Sequence, residues 1–295
     1  MQGAAPGLRR VEVVANTASG GVAADAPAEL EKIFSDFGVR ARVCAPHTDD
    51  LTRCLREAID AGPDLLVVLA GDGTLRAAAE LCGPKGPVMA PLPGGTMNML
   101  PHAVYGRRSW QDAISVALAQ GEEMMLGGGE VEGHVFLVAA ILGSPALWAP
   151  AREAARFRKA RLAWLRARIA LRRTFTGRLR YALDNGSRDK AVALSFLCPL
   201  ISRALDETTP ALEAAILDIH RVRDVVSLGF HAMTGDWREA SGVEATRMRM
   251  ARIWAAERIP AILDGEAVRL TNSATVAYKP DVVRVLGLPR ALRES

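Results

Sequence analysis

The first hundred residues repeat one pattern, in which a short apolar strand is followed by a glycine-rich loop and then by a helix. The strands are predicted at 11–15, 64–70 and 88–92, and their loops at 16–21, 71–74 and 93–98. Repeated units of this kind form a parallel sheet with helices on both faces. In such sheets, ligands bind beyond the carboxyl ends of the strands. The sequence therefore predicts an amino-terminal α/β domain with all three loops at its ligand-binding edge.

The strand at 64–70 is a continuous apolar run after its first residue, which is typical of a strand that is buried on both faces. A second strand is predicted at 39–44, before a helix over 48–61. Another helix is predicted at 25–37, where apolar residues recur at helical spacing. Thr48 occupies the N-cap position of its helix, and two aspartates follow in the first turn, where the helix dipole favours acids.

The pattern changes after about residue 125. A strand is predicted at 131–142. A hairpin is predicted with strands at 178–183 and 190–198 and a turn at 184–187, where Asn-Gly tolerates positive φ. Further strands, with few helices between them, are predicted at 213–220, 249–256, 261–264, 267–270 and 274–277. Strands joined in this way pair antiparallel. We therefore predict two domains, 1–125 and 126–278, and the tail 279–295 could return to the first.

Gly71-Asp72-Gly73-Thr74 has the composition of a phosphate-binding loop. Glycines allow close approach of the backbone, and the helix that begins there offers N–H groups and a partial positive charge. Asp72 would repel phosphates unless it binds a divalent metal or accepts a proton from a nucleophile. A tight turn with a solvated Asp72 is the alternative, but the strand–loop–helix context favours phosphate binding.

The loops at 16–21 and 93–98 have the same placement, and each strengthens the interpretation of the others. Each offers glycines, a hydroxyl and an amide that could wrap phosphates or a base edge. Asp264-Gly265-Glu266 lies between two short predicted strands and, on the sequence alone, indicates a hairpin turn.

Taken in order, these four segments resemble the diacylglycerol kinase catalytic-domain family, which includes bacterial soluble diacylglycerol kinases, sphingosine kinases and ceramide kinases. The resemblance spans nearly the whole chain. NAD kinases share the loop at 71–74. The loop at 93–98 and the Asp-Gly-Glu at 264–266 favour a lipid kinase over an NAD kinase. The resemblance implies an α/β nucleotide domain, an antiparallel β-sandwich domain and a cleft between them.

The resemblance also implies roles for individual residues. The residues that would bind ATP are Asn16, Ser19, Gly20, Thr48, Gly71, Gly73, Thr74, Gly94, Gly95, Thr96 and Asn98. Either Asp72 or Glu266 would accept the proton of a lipid hydroxyl, and Asp264 would help to hold Mg²⁺ with the nucleotide. The substrate would be a membrane lipid.

Departures from the family pattern narrow the substrate. The usual first glycine of Gly-Gly-Asp-Gly-Thr is Ala70, and the usual proline after the first Asn is Thr17. The stretch 143–146 lacks the aspartate that meets the head group of a sphingoid base, so the neutral lipids diacylglycerol and ceramide are favoured. The stretch 208–210 replaces the Asp-Asp-Gly that binds a structural Mg²⁺ in some bacterial members, which predicts no second metal there.

The net charge of +4 conceals an uneven distribution. Residues 151–180 hold eleven basic side chains and one acid, which leaves the rest of the chain at −6. A basic helix is predicted at 151–173, and it could simply pack one apolar stripe and remain solvated. We instead predict docking to an anionic membrane, which is worth ~1 kcal/mol per basic residue near the surface. The predicted docking residues are Arg158, Arg161, Trp164, Arg168 and Arg172.

Several other classes of protein are disfavoured. The four cysteines are widely spaced, which indicates neither a disulfide framework nor a zinc site and predicts a reducing compartment. The first ten residues lack the apolar region of a signal peptide, and the uncharged run 135–151 contains prolines and is short for a membrane span. The histidines are scattered, and no nucleic-acid reader motif occurs. We therefore predict a cytoplasmic enzyme, peripheral at the inner face of the membrane.

Two rival hypotheses stay open. An NAD kinase-like enzyme would phosphorylate a water-soluble acceptor and would not need the basic helix. A catalytically silent lipid-binding regulator would explain why the acids of the second domain are missing.

Overall fold

The computed structural model describes residues 8–45, 50–143, 179–202, 204–206, 208–217 and 243–293. It divides into two compact units, of which the first comprises 1–127 and 280–295 and the second 128–279. The predicted docking helix at 151–173, with all five of its docking residues, lies outside the described residues, as does Thr48.

The first unit is built on a parallel sheet. Its strands are β1 (Val11–Ala15), β2 (Ala41–Cys44), β3 (Leu65–Ala70) and β4 (Val88–Pro93). They lie in the order β2-β1-β3-β4, and every pair is parallel. All six residues of β3 are buried, as its continuous apolar run predicts.

Six helices lie in the described part of the same unit. They are α1 (Ala26–Asp36), α2 (Leu51–Asp60), α3 (Asp72–Cys82), α4 (Met99–Tyr105), α5 (Trp110–Gln120) and the short α6 (Arg290–Arg293). Helix α1 buries Leu30 and Phe34, which follow helical spacing. Helix α5 begins at Ser109, whose hydroxyl accepts a hydrogen bond from the N–H of Asp112 and so satisfies one unpaired donor of the first turn.

The second unit contains antiparallel strands. Its strands are β6 (His134–Phe136), β7 (Ala139–Gly143), β8 (Leu179–Leu183), β9 (Asp189–Ala191), β10 (Ala193–Leu197), β11 (Leu212–Leu217), β12 (Val243–Met248), β13 (Met250–Trp254), β14 (Pro260–Leu263) and β15 (Glu266–Arg269). Strands β5 (Glu122–Val131) and β16 (Ser273–Gly287) cross the boundary between the units along the sequence.

Two sheets enclose one core in this unit. The first has the order β12-β11-β10-β7-β14-β15, and in the second β13 lies between β16 and β8, which also pairs with β9. Phe136 and Phe196 pack in the same buried cluster as Tyr181, Ile253 and Val276. The unit is therefore an antiparallel sandwich, and the predicted fold class of an α/β domain followed by an antiparallel β domain is confirmed.

Two predicted strands are wrong in their extent. The strand predicted at 131–142 is divided twice, by a turn at Glu132 and Gly133, which have φ values of 50° and 79°, and again between β6 and β7 at Leu137 and Val138. The strand predicted at 190–198 is divided at Val192, so that β9 pairs with β8 while β10 pairs with β7 and β11 in the other sheet. Leu137, Val138 and Val192 are apolar, so these two changes of sheet are concealed in the sequence.

The structure also corrects the prediction for two of the cysteines. Cys44 at the end of β2 and Cys54 in α2 form a disulfide, although they are ten residues apart. Cys82 and Cys198 are free and buried. The spacing did not indicate the disulfide, because the approach of the two cysteines depends on how α2 folds back towards the sheet.

Candidate nucleotide site

The three glycine-rich loops of the first unit touch one another. The N–H of Gly21 donates to the carbonyl of Gly94 at 3.1 Å, and the N–H of Gly94 donates to the carbonyl of Ala70 at 3.0 Å. Gly95 lies so close to Gly71 that a Cβ on Gly95 would be 2.7 Å from the Gly71 Cα. The strand ends therefore bring the loops after β1, β3 and β4 into one cluster, as the parallel sheet predicts.

The glycines of this cluster serve two different purposes. A Cβ on Gly94 would lie 2.7 Å from a Val22 methyl and 2.8 Å from the Ala70 nitrogen, so packing excludes any side chain. A Cβ on Gly20, in contrast, would meet nothing within 4 Å. Gly20 therefore leaves open space at the loop through which a ligand could approach the backbone.

Two predicted nucleotide-binding asparagines hold the shape of their own loops. The Asn16 Oδ1 accepts the N–H of Ala18 at 3.1 Å. The Asn98 Oδ1 accepts the N–H of Gly95 at 2.7 Å, and its Nδ2 donates to the Gly95 carbonyl at 3.1 Å. Asn98 adopts the left-handed conformation, with φ 50° and ψ 43°, which Asn tolerates better than most residues. Both side chains thus order the loops that a ligand would contact.

Helix α3 begins inside the cluster. Gly71 is its N-cap, and the Gly71 carbonyl accepts hydrogen bonds from the N–H groups of Thr74 and Leu75 at 3.0 and 3.1 Å. The N–H of Gly73, earlier in this turn, has no acceptor within the helix, and this end of the helix carries partial positive charge. Gly73 and Thr74 are both partly exposed in this turn. An anion at this point would meet backbone donors.

Asp72 is a largely buried acid within the cluster, with 8% of its surface exposed. Its Oδ1 lies 3.4 Å from the N–H of Leu100, which is in the first turn of α4. The carboxylate therefore sits at the amino-terminal ends of two helices, where a negative charge is stabilised. A carboxylate in this position can accept a proton or contribute to a Mg²⁺ site.

Ser19 and Thr96 are the other two predicted residues with side chains in these loops. Ser19 is partly buried, and its N–H donates to the Asn16 carbonyl. Thr96 is exposed at the loop after β4.

Asp264 belongs to the second unit and is 3% exposed. One carboxylate oxygen accepts the N–H of Leu137 at 2.7 Å, and the other accepts the N–H groups of Val138 and Ala139, each at 2.9 Å. Burial and the nearby charge of Asp264 raise the pKa of the Cys198 thiol, so that thiol stays protonated. Asp264 thus anchors the chain between β6 and β7, a role that the sequence did not predict.

Glu266 follows the turn formed by Asp264 and Gly265, whose φ values are 47° and 89°. Leu263 pairs with Glu266, so the hairpin indicated by the Asp-Gly dipeptide is present. The Glu266 side chain is exposed. Asp72 and Glu266, the two predicted bases, belong to different units.

One residue near the loops was not singled out from the sequence. The Nη1 atom of Arg76, in α3, is shielded from solvent and has no hydrogen-bond partner among the described residues. Its position four residues after Asp72 is the sequence signal that could have identified it, since residues at this spacing share a helix face.

Two other features are absent from the described residues. No group of three or more His, Cys, Asp or Glu side chains is placed to hold a metal ion in the described part of the chain. No helix within the described ranges is long and apolar enough to cross a membrane.

Comparisons with known proteins support the resemblance. Residues 10–127 match the family model of the diacylglycerol kinase catalytic domain. No curated protein sequence matches the chain. Among solved structures, a diacylglycerol kinase from Bacillus anthracis str. Sterne aligns with a TM-score of 0.66 and 14% identity, over 97% of this chain and 99% of that one. A candidate diacylglycerol kinase from the same organism aligns with a TM-score of 0.71 and 15% identity over the same shares.

Proposed function

Because residues 10–127 match the family model of the diacylglycerol kinase catalytic domain, we propose that this chain is an ATP- and Mg²⁺-dependent lipid kinase. Its acceptor is the primary hydroxyl of a neutral membrane lipid, diacylglycerol or ceramide. The absence of an acid from the stretch 143–146 supports a neutral head group over a free sphingoid base.

The observation that carries the proposal is the contact among the three glycine-rich loops at the carboxyl ends of β1, β3 and β4. Gly95 packs on Gly71, and Gly21 bonds to Gly94, so the loops form one surface. That surface contains the first turn of α3 and the open space at Gly20. Backbone donors around an accessible space are what a chain of phosphates requires.

The donor set also fits a magnesium ion bound with the nucleotide. Kinases hold Mg²⁺ with one or two carboxylates together with substrate phosphates, so a cluster of three protein ligands is not needed. Asp72 supplies one carboxylate at the loops. Asp264 fits this role less well than the sequence suggested, because both of its oxygens accept backbone N–H groups.

In the proposed reaction, the lipid hydroxyl attacks the γ-phosphorus of ATP, and Asp72 or Glu266 accepts the proton of that hydroxyl. The bond between the γ-phosphorus and the bridging oxygen of ADP breaks, and ADP leaves. The loop N–H groups orient the phosphates and oppose their negative charge. When bound, Mg²⁺ supplies further positive charge to the phosphate oxygens. Positioning and electrostatics account for most of the catalysis in reactions of this class.

The basic segment supports an enzyme that works at a membrane surface. Its charge of +10 over 151–180 contrasts with −6 over the rest of the chain. Anionic lipids attract such a segment, and this attraction weakens with salt. We propose that the segment brings the enzyme to the cytoplasmic face of an anionic membrane.

Transfer of labelled phosphate from ATP to a panel of acceptors tests the proposal. The panel comprises diacylglycerol, ceramide, sphingosine and monoacylglycerol in mixed micelles, with NAD as a water-soluble acceptor. We expect label in diacylglycerol or ceramide. Transfer to NAD alone would identify the NAD kinase-like alternative, whereas liposome binding without transfer to any acceptor would identify a silent lipid-binding protein.

A further inference from the structure

The three glycine-rich loops contain no cationic side chain that could bind phosphates. Together, 16–21, 71–74 and 94–98 contain one charged side chain, and it is the negative Asp72. Polyphosphates carry several negative charges, and backbone dipoles offer only partial positive charge in return. A site for phosphates should therefore recruit a cationic side chain from an element next to the loops.

Arg76 is the only lysine or arginine in the two helices that begin at these loops. Helix α3 contains no other basic residue, and α4 contains only His102. The His102 Nδ1 lies 3.3 Å from the Gly106 carbonyl, at the far end of α4. Arg76 is therefore the cation that α3 and α4 can offer to a phosphate.

The helix geometry directs Arg76 towards the loops. Asp72 and Arg76 are four residues apart and share one face of α3. Side chains on a helix lean towards its amino-terminal end, so we expect a long side chain at position 76 to extend towards the first turn along the face that it shares with Asp72. The side chain is long enough to reach a ligand held at that turn while its stem packs against the helix.

The hydrogen bonding of Arg76 is incomplete. Its Nη1 is buried without an acceptor, and in the described part of the chain only the Nε of Arg284 shares this condition. Arg284 donates through its other two nitrogens to Glu123 and to the Gly86 carbonyl. A guanidinium nitrogen that is removed from water without an acceptor is costly, and an anionic oxygen would satisfy it.

We infer that Arg76 is a nucleotide-binding residue whose guanidinium binds a phosphate group of the nucleotide at the three loops. This inference rests on the proposed function, because it assumes that the loops bind a phosphorylated ligand. Arginine suits the role because its planar fork can donate two hydrogen bonds to one phosphate.

Calorimetric titration of the full-length protein with Mg²⁺–ATP and with adenosine tests the inference. We expect Arg76→Gln to weaken ATP binding by about 10- to 100-fold, the loss typical of one charge-assisted hydrogen-bonded contact. Adenosine binding should be unchanged, because adenosine has no phosphate. Arg56→Gln, which removes an exposed arginine from α2, should leave the binding of both ligands unchanged.

Arg76→Lys provides a second measurement if the glutamine variant does not fold. It keeps the positive charge but cannot form the bidentate hydrogen bonds of arginine. The affinity for ATP should therefore be lower than that of the wild type but still measurable. Equal ATP affinity in wild type and in either Arg76 variant overturns the inference and leaves the kinase proposal intact. Equal weakening of ATP and adenosine overturns it as well, because that result indicates a structural role. If the wild-type protein binds no ATP, the kinase proposal fails and the inference fails with it.

Discussion

The Cα of Gly71 lies where a side chain on Gly95 would have to be, since a Cβ on Gly95 would approach it to 2.7 Å. The two residues belong to loops that follow neighbouring parallel strands, β3 and β4. Their contact fixes the spacing between the loop that opens α3 and the loop that Asn98 closes. A real Cβ essentially never approaches another atom so closely, so one of the loops would have to shift.

Gly95→Ala should therefore damage both the fold and the site. We expect a loss of about 1–3 kcal/mol in the free energy of unfolding, the usual cost of overpacking, together with weaker ATP binding. Urea unfolding and calorimetric titration measure the two effects. An alanine variant with wild-type stability would show that the loops are not in contact.

Gly20→Ala is the matched substitution, because it adds the same methyl group to a neighbouring loop without a clash. Thermal unfolding of the ligand-free protein should be nearly unchanged. ATP binding should weaken, since the methyl group occupies the space through which the phosphates approach the backbone. The same affinity as wild type would mean that the ligand does not enter at Gly20.

Asp264→Ala should destabilise the second unit by about 3–5 kcal/mol. It removes the acceptor of three buried backbone N–H groups, from Leu137, Val138 and Ala139, and buried donors without partners are costly. Urea unfolding measures the loss. If Asp264 served only to hold the Mg²⁺–nucleotide, the variant would unfold like the wild type and would differ only in ATP binding.

Cys82 should make stability depend on pH in the alkaline range. Burial raises the pKa of its thiol from 9.0 to about 12, so the folded protein holds a proton that the unfolded chain releases above pH 9. The stabilisation is complete below pH 9 and is lost as the pH rises towards 12, with a slope of at most about 1.4 kcal/mol per pH unit.

Urea unfolding of the wild type and of Cys82→Ala between pH 8 and pH 10.5 checks this dependence. The stability difference between the two proteins should shrink as the pH rises, because the alanine variant has no thiol to titrate. A difference that is constant across this range contradicts the raised pKa.

Local sequence patterns predicted the glycine-rich loops, whereas contacts between residues that are distant in the sequence are seen only in the structure. Neighbouring residues in the sequence encode each strand–loop–helix unit. Once these units form a parallel sheet, the loops at 16–21, 71–74 and 93–98 lie together at one edge of it. The anchoring role of Asp264 depends on partners about 125 residues away, which no local pattern encodes. The disulfide between Cys44 and Cys54 likewise depends on the packing of α2.

The errors in strand extent have a common physical cause. A turn in a buried chain can be made by residues that do not interrupt an apolar run for long. Leu137 and Val138, which separate β6 from β7, are both apolar, and no polar residue marks the change of sheet at Val192. Hydrophobic periodicity detects burial, but it does not report which sheet buries a residue.

The most direct test of the proposed kinase is the transfer of labelled phosphate from ATP to diacylglycerol and to ceramide in mixed micelles by three proteins. They are the wild type, Asp72→Asn, and Asp60→Asn as a control that alters an exposed acid on α2. We predict that the wild type and Asp60→Asn transfer phosphate equally, while Asp72→Asn folds normally and loses about 100-fold or more of the activity. A fully active Asp72→Asn protein would contradict the assignment of the glycine-rich loops as the catalytic site.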